Sequence, residues 1–87
     1  MEILLLTDDI VSASQCRAAR ALLGITQQEL AEWSSVSKPT IADFERGERA
    51  PQKRTLKDLR TALEARGIRF TADGKGGVGV FLEAEEG

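Results

Sequence analysis

The sequence contains no histidine and a single cysteine, Cys16. One cysteine cannot form a disulfide within the chain, and without histidine or a second thiol a structural zinc site is not expected. The same shortage excludes a cysteine–histidine nucleophile. The longest aliphatic run, residues 3–6, is too short to cross a bilayer or to form the apolar part of a signal peptide. We therefore expect a cytoplasmic protein that does not enter a membrane and carries no disulfide, metal or other cofactor.

The chain has 87 residues and a net charge of −2, which argues against indiscriminate binding to nucleic acid. The charge is unevenly distributed, because residues 16–66 hold an excess of basic side chains and the segments on either side are net negative. Salt limits the reach of a charge to about 10 Å, so a basic centre can still serve a polyanion. A mixed, solvated surface explains the same composition, and charge alone does not decide between the two.

Four segments have the apolar spacing and the terminal residues of helices. Ser12 and Thr26 each begin a capping box, and Gly24 is placed to end the first helix. Pro39 is tolerated in a first turn, so a third helix begins at Ser37 or at the next residue and ends by Gly47. The predicted helices cover residues 13–23, about 27–34, about 37–46 and roughly 53–66.

After residue 67 the apolar period changes from helical to alternating, around a glycine-rich turn at residues 73–77. This pattern predicts a β-hairpin. An isolated hairpin is marginal in water, so we expect a partner for it: residues 2–6 as a third strand, the helices, or a second subunit. The expected fold is mainly α and forms one domain over residues 1–87. It consists of an N-terminal extension (1–11), a helical core (12–66), the hairpin (67–83) and an acidic tail (84–87).

The second and third predicted helices have the pattern of a helix-turn-helix. Ala31 is small where the two helices would cross, and Val36, Ile41 and Phe44 supply the apolar contact between them. Residues 17–51 read RAARALLGITQQELAEWSSVSKPTIADFERGERAP. In nearly every residue that marks a helix start, a helix end or a turn, this segment resembles the lambda-repressor-like helix-turn-helix family.

The resemblance implies a domain of four to five helices that binds DNA, commonly in a transcriptional regulator that acts as a dimer. The sequence departs from the family at Ser35, where a glycine in a left-handed turn is usual. A serine can adopt that conformation at a modest cost in free energy.

The resemblance also implies that the start of the third helix enters the major groove of DNA. We expect Lys38 to donate to guanine and the Thr40 hydroxyl to meet a phosphate or a base, while either the Thr40 methyl or Pro39 touches a thymine methyl. Gln27 is expected to contact a phosphate and to brace the third helix. For Asp43, base readout and simple surface exposure are both open. The predicted DNA-binding residues are Gln27, Ser37, Lys38, Pro39, Thr40, Asp43, Arg46, Arg49, Lys53 and Arg54. We expect one or two of the four basic residues that end this list to contact the DNA backbone.

Four further residues have structural interpretations. The resemblance implies that Arg20 of the first helix pairs with Glu45 at the end of the third. Such a planar ion pair fixes the angle between the two helices. Cys16 is expected to fill apolar space in the first helix, and Trp33 to pack partly against that helix.

Two functions fit these observations. The first is sequence-specific binding of double-stranded DNA by a homodimer that reads two half-sites about one helical turn apart. The alternative is an antitoxin-like module that binds a partner protein through the hairpin and represses its own promoter. No triad, metal cluster or phosphate-binding loop is visible, so an enzyme is not expected.

Overall fold

The chain forms four helices followed by a β-hairpin in the computed structural model, which describes residues 11–48 and 51–83. The elements are α1 (Ala13–Leu23), α2 (Gln27–Ser34), α3 (Lys38–Glu45), α4 (Lys53–Glu64), β1 (Ile68–Ala72) and β2 (Val78–Leu82). The predicted mainly α fold with a C-terminal antiparallel hairpin is confirmed. The possible strand at residues 2–6 and the acidic tail at residues 84–87 lie outside the described residues.

The first two helices begin where their capping residues place them. Ser12 and Thr26 each accept a hydrogen bond from the amide three residues ahead, and the side-chain oxygens of Gln15 and Glu29 accept in return from the cap amide. Gly24 ends α1 in the left-handed conformation, at φ 69°. Local sequence therefore fixes both boundaries of α1 and the start of α2.

The turn between α2 and α3 depends on one unusual backbone position. Ser35 has φ 63° and is, among the described residues, the non-glycine residue with a positive φ. The serine takes the left-handed conformation expected of the glycine that it replaces. The α3 helix ends slightly earlier than predicted, at Glu45, because Arg46 caps it and Gly47 then turns the chain at φ 79°.

One apolar cluster joins the helices to the hairpin. All four helices and β1 contribute buried residues to it, and Val80 and Leu82 of β2 pack against it. Ile41 of α3, Leu59 and Leu63 of α4 and Ile68 of β1 are fully buried. The remaining buried members are Val11, Cys16, Ala19, Leu30, Val36, Phe44 and Phe70. In addition, α2 packs against α3 and α4, while α1 packs against α3 and β2. The hairpin is thus part of the fold and not an appendage.

A buried glutamine attaches the hairpin to α1. The side-chain amide of Gln15 donates to the carbonyl oxygens of Thr71 and Gly79, at 3.1 and 2.9 Å. These two residues face each other in the antiparallel register of β1 and β2. One amide group therefore binds both strands at the same level of the sheet, while its oxygen completes the capping box of α1.

No helix in residues 11–48 and 51–83 is long and apolar enough to span a membrane.

Candidate nucleic-acid interface

The α3 helix buries one side and exposes its first turn. Ile41 is fully buried and Phe44 retains only 7% of its exposure. Lys38 and Pro39, at the N-terminal end, are exposed. The apolar residues thus hold the helix on the core while its first turn points away from it.

Ser37 organises this exposed turn. Its hydroxyl oxygen accepts from the backbone amide of Thr40 at 3.3 Å, as an N-cap does, and its hydrogen is donated to the Thr40 hydroxyl at 2.8 Å. The Thr40 oxygen is therefore already an acceptor, which leaves its own hydrogen free to be donated to an outside group. A hydroxyl in this state suits a phosphate oxygen or a base acceptor.

The C-terminal end of α3 is held by a buried carboxylate with a full set of donors. Glu45 keeps only 3% of its exposure and receives two bonds from Arg20, at 2.7 and 2.8 Å. The Gln27 amide donates to it at 3.0 Å and the Cys16 thiol at 3.2 Å. Residues from α1 and α2 thereby converge on one side chain of α3.

The charge state of this network follows from its contacts. Burial alone would raise the pKa of Glu45, but the hydrogen bonds from Arg20, Gln27 and Cys16 outweigh it and hold the pKa below its ordinary value. The bond to Glu45 raises the pKa of Arg20. Burial, together with the neighbouring carboxylate, raises the pKa of the Cys16 thiol. Glu45 and Arg20 are therefore both charged, and Cys16 is a neutral donor.

Two arginines extend the network. Arg20 also donates to the backbone oxygen of Ile25 at 3.1 Å, which ties it to the loop before α2. Arg17 donates to the backbone oxygen of Glu45 and so satisfies a carbonyl at the end of α3. The position of α3 is fixed at this end by both its side chain and its backbone.

Asp43 and Arg46 form an ion pair on the surface, and Arg46 also contacts Glu48 at 3.2 Å. All three side chains are about half exposed. The pairing gives Asp43 a partner, so its carboxylate does not stand alone on the face that would meet phosphates. It also means that the charge of Arg46 is compensated by two neighbours.

The start of α4 presents two further basic side chains, Lys53 and Arg54, both exposed. Gln52 occupies the N-cap and makes no side-chain capping bond, so the first-turn amides of α4 are not satisfied by it. Arg49, also predicted to bind DNA, lies outside the described residues.

One exposed residue next to the predicted set was missed from the sequence. Gln28, the second residue of α2, lines two shallow surface clefts of about 350 and 500 Å³, and Lys38 lines both of them with it. Its amide is within 3.3 Å of Glu32. The adjacent glutamines at 27 and 28 were the available signal: the first points inward to Glu45, and the second remains at the surface beside α3.

The single tryptophan lies near the other end of the helical core. Trp33, which we expected beside α1, is half-buried, and the guanidinium of Arg66 lies 3.8 Å from the centre of its ring. The contact is of the cation–π type and lies just beyond the end of α4. It stabilises the packing of α2 on α4, which supports α3 indirectly.

Within residues 11–48 and 51–83, no group of three or more histidine, cysteine, aspartate or glutamate side chains is arranged to hold a metal ion.

Comparison with known proteins identifies the fold. Residues 17–67 match the helix-turn-helix family of the lambda-repressor type, which is more than half of the chain. The match begins inside α1 and ends just before β1, so it contains Glu45 with its partners Arg20 and Gln27 and the exposed first turn of α3. No curated protein matches the chain. The chain therefore belongs to the lambda-repressor-like helix-turn-helix family, a family of DNA-binding regulators.

Proposed function

We propose that this protein is a sequence-specific regulator that binds double-stranded DNA in the cytoplasm as a homodimer, with the first turn of α3 in the major groove. The proposal depends on the difference in solvent exposure along α3. Ile41 is fully buried, whereas Lys38 and Pro39 in the preceding turn are exposed. A helix built in this way presents its N-terminal end to a partner, which is the docking geometry of a recognition helix.

Base readout is assigned to the first turn of α3. Lys38 can donate to O6 or N7 of guanine, and the free hydroxyl hydrogen of Thr40 can meet a phosphate or a base acceptor. Pro39 adds an apolar surface that suits a thymine methyl. Gln28, beside Lys38, can extend this readout by one side chain from α2.

The main role of Gln27 is to position α3 relative to α2. Its amide donates to Glu45, and this bond holds the start of α2 against the end of α3. The amide group has a second hydrogen, which a phosphate at the start of α2 could accept. Both tasks expected of Gln27 are therefore compatible with one side-chain conformation.

Contacts with the DNA backbone are assigned to the start of α4. Lys53 and Arg54 are exposed there, and the uncapped first turn of the helix adds backbone amides and a partial positive charge. Arg46 is a weaker candidate than these two because Asp43 and Glu48 already compensate its charge.

The test compares two variants on a duplex that the wild-type protein prefers and on a scrambled duplex. We expect Lys38→Ala to reduce the ratio of the two affinities by about tenfold or more, because it removes a base contact. Arg54→Ala should weaken binding to both duplexes alike and lower the slope of log affinity against log salt by about 0.9.

Lys75→Ala is the matched control, since it removes the same charge from the hairpin turn, where Lys75 is exposed. It should leave both affinities and the salt slope nearly unchanged. Full affinity and full selectivity in both Lys38→Ala and Arg54→Ala would refute the assigned interface.

A further inference from the structure

Two of the three large hydrophobic residues that the described part of the chain exposes lie on the strand β2. Its sequence, VGVFL, contains no charged residue. Val78 is 51% exposed and Phe81 is 58% exposed, and the third large hydrophobic residue that the described part of the chain exposes is Leu22, at 46%. Proteins usually protect an exposed edge strand with lysine, proline or a bulge. The strand β2 has none of these protections.

The hydrogen bonds of the hairpin show which backbone groups of β2 face outward. At the two ends of the hairpin, Asp73 donates to Gly77 at 3.0 Å and Glu83 donates to Gly67 at 2.9 Å. Bonded and non-bonded pairs alternate along antiparallel strands. The amides and carbonyls directed away from β1 are consequently those of Val78, Val80 and Leu82. No described residue outside the hairpin makes a hydrogen bond to them.

Among the described residues, a groove borders this strand. A groove of about 190 Å³ lies between β2 and α1, and its helical wall includes the small residues Ser14 and Ala18. Leu22 lies one helical turn beyond Ala18 on the same stripe of α1. The exposed leucine, the groove and the uncharged strand thus border one region of the surface.

We propose that a second copy of this chain covers this region, with β2 paired to β2 of the partner in antiparallel orientation about a two-fold axis at Val80. In this register Val80 faces its own counterpart, and Val78 faces Leu82 of the other copy. These are the residues whose backbone groups point outward, so each facing pair exchanges two hydrogen bonds. The two hairpins then form one continuous four-stranded sheet.

The side chains fit the same register. Phe81 faces Gly79 across the axis, so the exposed aromatic ring covers a position that has no side chain, an arrangement that stabilises glycine in strands. The other facing pairs are valine with leucine and valine with valine, which are favourable across strands. No like charges meet, because β2 carries none. A single strand of this chain is therefore complementary to itself.

This inference rests on the homodimer of the proposed function and specifies its interface, but it is independent of the DNA contacts. The strand lies outside residues 17–67, the part of the chain that matches the family. Pairing through β2 would set the spacing of the two α3 helices, and hence the spacing of the DNA half-sites.

The first test is crosslinking of Val80→Cys without DNA. Cα atoms in a hydrogen-bonded antiparallel pair are about 5.5 Å apart, within the range that a disulfide bridges. We expect a covalent dimer as the main species after mild oxidation. Lys75→Cys, exposed in the hairpin turn, is the matched control and should stay monomeric on a non-reducing gel. The native Cys16 does not interfere because it is fully buried.

The second test measures molar mass by light scattering. The wild type should have twice the chain mass of 9.5 kDa, and Phe81→Lys should return to 9.5 kDa while keeping its helical circular dichroism. Thr61→Lys adds the same charge on exposed α4 surface and should remain dimeric.

A monomeric wild type, a dimer that survives Phe81→Lys, or a Val80→Cys variant that does not crosslink would overturn the inference. A monomer whose β2 amides resist hydrogen exchange would show that the chain itself or another partner covers the edge. A dimer that fails to bind any duplex would refute the proposed function while leaving this interface in place.

Discussion

The side-chain amide of Gln27, the first residue of α2, donates to the carboxylate of Glu45, the last residue of α3, over 3.0 Å. Arg20 of α1 binds the same carboxylate at 2.7 Å. Three helices therefore meet at one buried negative charge. The orientation of α3, and with it the presentation of its first turn, depends on this charge as well as on apolar packing.

Neutralising that carboxylate should destabilise the fold. Glu45→Gln leaves Arg20 partly buried without its ionic partner, and we expect the free energy of unfolding to fall by about 2–3 kcal/mol. Urea titration followed by the fluorescence of Trp33 measures the change. Glu48→Gln is the control, because its carboxylate is 62% exposed and should cost at most about 0.5 kcal/mol. Equal stability of the two variants would contradict the role given to Glu45.

The same residue predicts a dependence on pH. Burial would raise the pKa of Glu45, but its hydrogen bonds hold it below the ordinary value of 4.5. The unfolded chain therefore takes up this proton at a higher pH than the folded chain. The stabilisation is complete above about 4.5 and is lost as the pH falls through the folded-state pKa. We expect the difference in unfolding free energy between wild type and Glu45→Gln to stay level from neutral pH to about 5 and to shrink as the pH falls below about 4.5. A difference that stays level below about 4.5 as well would contradict the depressed pKa.

The left-handed serine offers a stabilising change. Ser35 has φ 63° and an exposed side chain, so replacing it by glycine removes backbone strain without removing a buried contact. We expect Ser35→Gly to raise the free energy of unfolding by about 0.5–1 kcal/mol, after the entropic cost of glycine is subtracted. Thermal denaturation detects this gain. A lower melting temperature for Ser35→Gly would show that the serine makes a compensating contact.

A single substitution, Gln15→Glu, tests the attachment of the hairpin to α1. Gln15→Glu keeps the oxygen that caps α1 but replaces the amide that donates to Thr71 and Gly79. We expect a loss of about 1–3 kcal/mol and faster amide hydrogen exchange in β1 and β2. Ser12→Ala is the control, since it weakens the cap and should leave the relative exchange of the hairpin unchanged. Unaltered hairpin exchange in Gln15→Glu would refute this attachment.

The sequence predicted those parts of the fold that local contacts decide. Ser12 and Thr26 bind amides three residues away, Gly24 and Ser35 set the turns, and the alternation around residues 73–77 marks the hairpin. Each of these signals acts within one or two turns of chain. The helix boundaries consequently agree with the prediction to within about two residues, which is the ordinary uncertainty of a helix end.

Contacts between distant residues were harder to predict. Gln15 was recognised as a capping residue, but its bonds to Thr71 and Gly79 span 56 and 64 positions. Cys16 was expected to fill apolar space; it lies in the apolar cluster, and its thiol in addition donates to Glu45, 29 positions away. Both side chains are amphipathic, and only the packing of α1 on its neighbours decides which part of each is used. Sequence spacing contains no such information.

The candidate site likewise has residues that the sequence predicts and details that it does not. Lys38, Pro39 and Thr40 could be named because the apolar positions around them define which side of α3 is buried. The pairing of Asp43 with Arg46, and the place of Gln28 beside Lys38, depend on rotamers and on the angle between α2 and α3. These details affect how much each residue contributes, and a pattern of residue types does not specify them.

The most direct measurement of the central claim is selection of bound sequences from a randomised duplex pool at a stated salt concentration, with the wild-type protein and Lys38→Ala in parallel. We predict that the wild type enriches a symmetric motif of two half-sites and that Lys38→Ala loses preference at specific positions within each half. Recovery of random sequence by the wild type, or retention of no duplex at low salt, would contradict a DNA-reading role for the first turn of α3.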